Sequence, residues 1–303
     1  MYQTSLTSEG PAPGSLDSGA VQPVVRVRGL RKSYGDFEAL KGVDFELHGG
    51  EVFGLLGPNG AGKTTTVEIL EGYRVRDGGD VEVLGEDPAR AGLDWRARIG
   101  VVLQSSAMYE NLTVAETLAQ FAGYYEHPRP IDEVVELIGL GDKRDDRVRR
   151  LSGGQRRRVD LGLALVGDPE LIFLDEPTTG FDPGARRRAW ETIRSLSALG
   201  KTILLTTHYL DEVEQLADRV AVLRGGTIVA AGTPRELTSA TAATEIRYRE
   251  NGREVVVRTE EPTRALHDLT TRALAAGEEL QGLEVRRPTL EEVYLTLTQE
   301  EPE

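Results

Sequence analysis

One stretch decides the fold of this chain: Val52-Phe-Gly-Leu-Leu-Gly57-Pro-Asn-Gly-Ala-Gly62-Lys63-Thr64-Thr65. Its first five residues form an apolar run of strand length, and a helical pattern continues from Thr65 to Glu71. Between the two lies the G-x-x-x-x-G-K-T spacing of a phosphate loop. The glycines let backbone N–H groups turn toward phosphate oxygens, and the start of the helix adds its positive dipole end. The stretch therefore predicts an α/β domain that binds a nucleotide.

The side chains of this loop divide the work of holding the phosphates. We expect Lys63 to reach the β- and γ-phosphates and the Thr64 hydroxyl to ligate Mg²⁺. The residues expected to surround the nucleotide phosphates here are Gly57, Pro58, Asn59, Gly60, Ala61, Gly62, Lys63, Thr64 and Thr65.

A second apolar run, Leu171–Leu174, ends in two carboxylates. We expect Asp175 to orient Mg²⁺ through its water shell and Glu176 to polarise the attacking water. Taken alone, the segment is better interpreted as a strand followed by an acidic turn. The phosphate loop favours the catalytic interpretation, because phosphoryl transfer needs positioned water and neutralised charge.

Outward from these segments, short apolar runs alternate with helical segments from Val24 to Val222, which predicts a largely parallel, buried sheet. Residues 107 to 150 are helical and charge-rich and predict an inserted helical subdomain. Residues 1 to 22 are rich in Ser, Gly and Pro and predict a disordered tail. After Pro234 the pattern changes to a hairpin across Asn251-Gly252, a helix, a strand and a last helix capped by Thr289 and Glu292.

Composition excludes several classes of function. The 303 residues contain no cysteine, which excludes disulfides and thiol nucleophiles. The net charge of −14 argues against a nucleic-acid partner. Apolar runs are too short to cross a bilayer, and the N-terminus lacks the pattern of a secretory signal. We therefore expect a cytoplasmic protein, with any membrane part supplied by separate chains.

A further motif, Leu151-Ser-Gly-Gly-Gln155, stands twenty residues before the acidic pair. It resembles the signature of the ATP-binding cassette (ABC) ATPases, and the resemblance extends over residues 23 to about 235. The family's signature caps the ATP bound by a second copy, so the resemblance implies a head-to-tail dimer. The residues it assigns to ATP here are Ser152, Gly153, Gly154 and Gln155. An ordinary helix cap would account for Ser152, but we expect it to leave the glycines and Gln155 unexplained. We interpret the following Arg156–Arg158 as a solvated helix face.

The resemblance also carries single residues over. Gln104 matches the glutamine that touches Mg²⁺ and senses the membrane subunit. Asp182 matches the aspartate of the loop that crosses to the other copy, although Phe181 stands where the family usually has Leu. His208 matches the switch histidine at the γ-phosphate, and Tyr34 matches the aromatic that stacks on adenine. Glu176, His208 and Lys63 are the catalytic residues this implies, with Thr64, Gln104 and Asp175 at the metal.

By this resemblance the fold class is α/β, a P-loop NTPase of ABC type with an antiparallel β subdomain and a helical subdomain at about 107–155. The ATPase domain spans 23–236, and a small α/β accessory domain spans 237–303. The C-terminal Pro288-Thr-Leu-Glu-Glu-Val-Tyr-Leu295 is similar to the accessory domain of drug-resistance (daunorubicin-type) exporters. The implied function is ATP hydrolysis, with Mg²⁺, that powers export through permease subunits at the cytoplasmic face of the membrane. An importer ATPase and a soluble, non-transport ABC ATPase are the alternatives.

Overall fold

The structure, a computed structural model, describes residues 22–102, 110–240, 244–250, 252–286 and 289–298. The predicted tail up to residue 21 lies outside the described residues, and so do Gln104 and Asn251.

Strands and helices alternate along the chain as the sequence predicts. The strands are β1 (Val25–Tyr34), β2 (Phe37–Leu47), β3 (Val52–Leu56), β4 (Gly78–Val83), β5 (Ile99–Val102), β6 (Leu171–Asp175), β7 (Thr202–Thr207), β8 (Arg219–Arg224), β9 (Thr227–Gly232), β10 (Thr244–Glu250), β11 (Arg253–Thr259) and β12 (Gln281–Arg286). The helices are α1 (Lys63–Leu70), α2 (Leu93–Ala97), α3 (Val114–Ala122), α4 (Ile131–Leu137), α5 (Gly153–Leu165), α6 (Pro183–Ala198), α7 (Leu210–Leu216), α8 (Pro234–Ala240), α9 (Pro262–Ala276) and α10 (Leu290–Thr298).

A six-stranded sheet in the order β5-β6-β7-β3-β8-β9 forms the centre of the part of the chain that precedes β10. Its strands pair in parallel from β5 to β8, and β9 joins the edge antiparallel to β8. Every residue of β3, β6 and β7 is buried. Such continuous apolar strands are typical of a parallel sheet covered on both faces, and the predicted α/β class is confirmed.

Successive side chains of the central strands face two different cores. Phe53 and Phe173 face the core shared with the antiparallel sheet β2-β1-β4, where Phe53 stacks on Phe45 with ring centroids 5.4 Å apart. Ile172 and Leu174 face the opposite core, formed with α3 to α6. This alternation follows from the two-residue period of a strand. It anchors β3 and β6, whose carboxyl ends carry the phosphate loop and the acidic pair.

The sequence pattern predicts a first strand from Val24 to Arg28. β1 continues to Tyr34 rather than stopping at Arg28, because a register shift at Gly29 breaks the apolar alternation without ending the strand. α5 begins at Gly153 with Ser152 as its N-cap, so the two signature glycines stand in its first turn.

The C-terminal residues form a separate antiparallel sheet, β11-β10-β12, with α9 packed on one face. α9 ends at Gly277, which has φ of +70°, as the sequence predicts. α10 begins with the predicted capping box between Thr289 and Glu292. α10 packs against α7 and α8, where Leu290 and Val293 are buried. None of the helices among the described residues is long and apolar enough to cross a membrane.

Candidate nucleotide-binding site

The phosphate loop joins β3 to α1, and two of its glycines are required by packing. A Cβ at Gly57 would lie 2.4 Å from the backbone oxygen of Leu223. Gly62 has φ of +108°, and a Cβ there would lie 2.7 Å from the side chain of Leu40. Only glycine fits these positions, because the backbone curls tightly against β8 and β2. The loop is thereby shaped before any phosphate enters it.

Lys63 is buried at the base of this loop. Its Nζ donates hydrogen bonds to the backbone oxygens of Gly57, at 2.8 Å, and Pro58, at 3.2 Å. Burial lowers the pKa of Lys63, and the carboxylates of Glu176 and Asp175 oppose that shift. The ammonium group therefore lies inside the loop, hydrogen-bonded to two of its carbonyl oxygens. A phosphate oxygen could compete with these carbonyls for the ammonium group.

Thr64 and Asp175 bring two oxygen ligands together at the first turn of α1. The Thr64 hydroxyl lies 3.4 Å from Asp175 Oδ2, and the other carboxylate oxygen accepts a bond of 2.5 Å from Thr206. Hydroxyl and carboxylate oxygens are the ligands that Mg²⁺ prefers. The donor types and their separation fit a magnesium ion, and Thr206 fixes the carboxylate that would face it.

Glu176 stands at the point where β6 ends, with φ of +46°. Non-glycine residues rarely adopt this conformation, and it is found preferentially at functional positions. The backbone N–H donates to Thr206 Oγ1 at 3.0 Å and so holds the turn. Glu176 Oε1 lies 3.5 Å from Lys63 Nζ and 3.3 Å from His208 Nδ1. The predicted base thus contacts both the switch histidine and the phosphate-loop lysine.

The charge state of Glu176 follows from these contacts. Burial acts to raise the pKa of Glu176, but the hydrogen bond with His208 and the charge of Lys63 outweigh it, so the pKa lies below its ordinary value. The Thr179 hydroxyl donates to the second oxygen at 3.1 Å. The carboxylate is therefore ionised near neutral pH, as a group that orients and polarises water must be.

The signature segment has a structural role that the sequence analysis did not foresee. Ser152 Oγ accepts from the N–H of Gln155, and Gln155 Oε1 accepts from the N–H of Ser152 at 2.8 Å. This is a complete capping box, so an ordinary helix cap explains Gln155 as well as Ser152. Our expectation that Gln155 would stay unexplained was wrong, because the S-x-x-Q spacing lets its side chain accept from the N–H of Ser152.

The interpretation of Arg156–Arg158 as a solvated face was also wrong. Arg157 donates to the backbone oxygen of Asp175 at 3.1 Å, and Arg158 donates to that of Gly139 at 2.6 Å. Arg156 reaches the backbone oxygen of Leu151. The reason is that α5 lies between the helical subdomain and β6, so Arg157 and Arg158 meet carbonyls of neighbouring elements, while the side chain of Arg156 stays 41% exposed.

A cleft of about 830 Å³ joins the signature to the acidic site. Its walls include Ser152, Gly153, Glu176 and Asp182. Asp182 caps α6 by accepting from the N–H of Ala185 at 2.9 Å. Phe181, the departure from the family pattern, also lines a small apolar recess between α5 and α6.

Tyr34 lies at the outer side of the phosphate loop. It is 41% exposed, and its hydroxyl is 3.5 Å from Thr65 Oγ1. The guanidinium of Arg74 lies 5.2 Å from the ring centroid. The ring is thus open to solvent beside α1, where a base attached to bound phosphates could reach it.

The structure brings most of the predicted residues together. Lys63, Thr64, Asp175, Glu176 and His208 form one contact network, and the cleft links it to the signature. Gln104 lies outside the described residues. Sequence reasoning missed Thr206 and Arg157. Neither has a local signal in the sequence: Thr206 stands beside Asp175 only because β6 pairs in parallel with β7.

Comparison with known proteins identifies the family. Residues 40–179 match the ABC transporter family, and residues 232–289 match the C-terminal domain of ABC transporter domain-containing protein-like proteins. A daunorubicin resistance ATP-binding protein of Streptomyces coeruleorubidus is 40% identical over 301 residues, which cover 90% of this chain and 95% of that protein. The chain belongs to the ATP-binding proteins of ABC transporters.

Other similar proteins agree with this ABC assignment. The Nod factor export ATP-binding protein I of Ralstonia nicotianae is 43% identical over 233 residues, 75% of this chain and 71% of its own length. The ADP conformation of an ABC transporter's ATP-binding cassette superposes with a TM-score of 0.62 at 28% identity, covering 71% of this chain and 92% of that one. A subunit of the cbiONQ transporter complex of Clostridium perfringens gives 0.64 at 29% identity, with 71% and 90% covered. The predicted fold and ATPase class are confirmed.

Proposed function

We propose that this ABC protein is the ATP-hydrolysing subunit of an exporter for a drug-like or other lipophilic small compound. The observation that carries the hydrolytic part is the position of Glu176, whose carboxylate contacts both Lys63 and His208 beside the phosphate loop. The export part is supported by the names of the relatives, which include a resistance protein and a Nod factor export protein.

The residues of one copy divide the chemistry as follows. Backbone N–H groups from Gly57 to Thr65 and the N-terminus of α1 bind the phosphates, and Tyr34 stacks on the adenine. Glu176, ionised and restrained by Thr179, orients the attacking water and accepts a hydrogen bond from it. His208 contacts the γ-phosphate and holds Glu176 in place. Thr64, Asp175 and Gln104 hold Mg²⁺, which neutralises charge developing on the phosphates.

A second copy completes the site. In a head-to-tail dimer, the γ-phosphate on the phosphate loop of one copy meets the start of α5 in the other. Ser152, Gly153, Gly154 and Gln155 supply that surface, and Asp182 belongs to the loop that crosses to the other copy. The open cleft at the start of α5 supports this arrangement, because the first turn of a helix leaves N–H groups free for an anion.

The dimer works on membrane-spanning permease subunits that are separate chains, at the cytoplasmic face of the membrane. No nucleic acid takes part. The ATPase domain corresponds to residues 23–236 and the accessory domain to 237–303, whose role is either dimer contact or regulation. ATP binding closes the dimer, and hydrolysis lets it open.

ATP hydrolysis by the purified chain tests the proposal. We expect Mg²⁺-dependent release of phosphate from the wild-type chain, and none from Glu176→Gln, which should instead retain ATP in a closed dimer that size-exclusion chromatography detects. Unchanged hydrolysis by Glu176→Gln would refute the assigned base. Co-purification with a membrane protein of about six spans supports the transporter role over a soluble ABC ATPase, and drug accumulation in cells that lack the gene distinguishes export from import.

A further inference from the structure

A second carboxylate, Glu212 on α7, lies behind the hydrolytic site and is fully buried, with 0% of its surface exposed. It cannot touch a nucleotide from there. Because burying a carboxylate is unfavourable unless hydrogen bonds compensate it, the partners of Glu212 indicate what the residue is for.

These partners come from different parts of the site. Thr178, two residues after Glu176, donates to Glu212 Oε1 at 2.9 Å. Trp190 of α6 donates its indole N–H to the same oxygen at 3.3 Å. One oxygen of Glu212 thus connects α7, the turn that follows the proposed base, and α6.

The turn that carries His208 leads directly into the helix of Glu212. Burial raises the pKa of Glu212, and hydrogen bonds such as those from Thr178 and Trp190 oppose that rise. Thr207 is the residue immediately before His208, and its hydroxyl accepts from the N–H of Tyr209 at 2.9 Å. Glu212 therefore contacts the segment after Glu176 and lies on the helix that follows His208.

A contact between two aromatic rings adds a second connection from α6 to His208. The ring of Tyr209 lies 4.1 Å from the ring of His208, measured between centroids. The guanidinium of Arg186, one helical turn before Trp190 on α6, lies 4.3 Å from the Tyr209 centroid. α6 begins directly after Asp182, and its first half connects to Glu212 through Trp190 and to the neighbour of His208 through Arg186.

We propose that Glu212 is a positioning residue for ATP hydrolysis, which together with Tyr209 fixes His208 and Glu176 relative to α6. The two side chains at the γ-phosphate come from different strands, β6 and β7, and reaction rates fall steeply when such groups are misplaced. This inference rests on the proposed function, because it assigns Glu212 a role only in that reaction.

The test compares Glu212→Ala with Glu212→Gln in the full-length chain. We expect Glu212→Ala to lower kcat about 10- to 100-fold while KM for MgATP changes less than about twofold. Glu212→Gln keeps the shape and the oxygen that Thr178 and Trp190 use, so we expect it to recover most of kcat. Partial recovery by the amide distinguishes a positioning role from a need for the negative charge.

The two tryptophans of the chain supply a matched control. Trp190→Phe removes the indole N–H that donates to Glu212. Trp95→Phe removes the indole N–H that donates to the backbone oxygen of Val83 at 2.8 Å, in the other core. We expect kcat to fall about fivefold in Trp190→Phe only, the equivalent of one hydrogen bond. Both variants should lose thermal stability.

Two results would overturn the inference. One is a kcat for Glu212→Ala within twofold of wild type. The other concerns the double variant that combines Glu212→Ala with Glu176→Gln. If this variant loses both ATP affinity and the ATP-dependent dimer, Glu212 is a purely structural residue. Failure of the proposed function looks different, since the wild-type chain would then release no phosphate at all.

Discussion

At the scale of single residues, the two glycines of the signature differ in what a side chain would meet. A Cβ at Gly154 would lie 3.3 Å from Cβ of Ala185, whereas a Cβ at Gly153 has no atom of the described residues within 4 Å. Gly154 is therefore needed, at least in part, for the packing of α5 against α6. Gly153 has no such reason to be glycine, and it lines the cleft.

We predict that Gly153→Ala keeps its thermal stability but loses at least about tenfold in ATP hydrolysis, because the new methyl group stands where the other copy's γ-phosphate must approach. Gly154→Ala should lose stability as well as activity. Thermal melting and phosphate release measure the two effects. Full activity in Gly153→Ala would contradict a phosphate site at the start of α5.

Glu71, at the end of α1, gives a prediction about pH. Burial raises its pKa to about 8 from the ordinary 4.5, with help from the charges of Asp175 and Glu68. Between these two values the folded chain holds a proton that the unfolded chain has lost. The free energy of unfolding must therefore fall as pH rises through this window.

We expect Glu71→Gln to flatten this pH dependence, so that its stability relative to wild type increases from pH 5 to pH 8. Urea denaturation in buffer free of nucleotide and divalent metal measures the difference. Glu126→Gln makes the same chemical change at an exposed position and serves as the control. Parallel stability curves for Glu71→Gln and wild type would contradict the raised pKa.

At the scale of elements, α10 joins the C-terminal part to the ATPase part. Leu290 and Val293 are 1% and 2% exposed and pack in one cluster with Leu56, Val213 and Val222. The apolar residues of α10 therefore cover the side of the central sheet that α7 also covers.

We predict that Leu290→Ala lowers the free energy of unfolding by about 3 kcal/mol, through lost transfer energy and the cavity left behind. Leu295→Ala changes the same residue type on the same helix, but Leu295 is 47% exposed, and we expect little effect. Urea denaturation distinguishes the two. Equal losses would mean that α10 does not dock through Leu290.

At the scale of the whole molecule, the question is whether each ATP needs residues from two copies. Lys63 and Ser152–Gln155 belong to one chain, yet the proposed site pairs the lysine of one copy with the signature of the other. A two-fold symmetric dimer of this kind contains two equivalent composite sites.

This predicts complementation in trans. Lys63→Ala and Gly153→Asp should each be inactive, and an equal mixture should recover about a quarter of wild-type hydrolysis, since half of randomly formed dimers are mixed and each has one intact site. Phosphate release from the mixture is the measurement, with each variant mixed with itself as the control. An inactive mixture would indicate that the signature acts on its own chain's nucleotide.

The sequence by itself determined the phosphate loop, the acidic pair, the parallel sheet and the accessory hairpin, because each is written in local spacing and periodicity. The tertiary structure alone decided that Thr206 fixes Asp175, that Arg157 caps the carbonyl end of β6, and that Glu212 joins α6 to the turn after Glu176. These contacts join residues 18 to 34 positions apart. No local pattern encodes them, because they arise only when the strands pair and the helices pack.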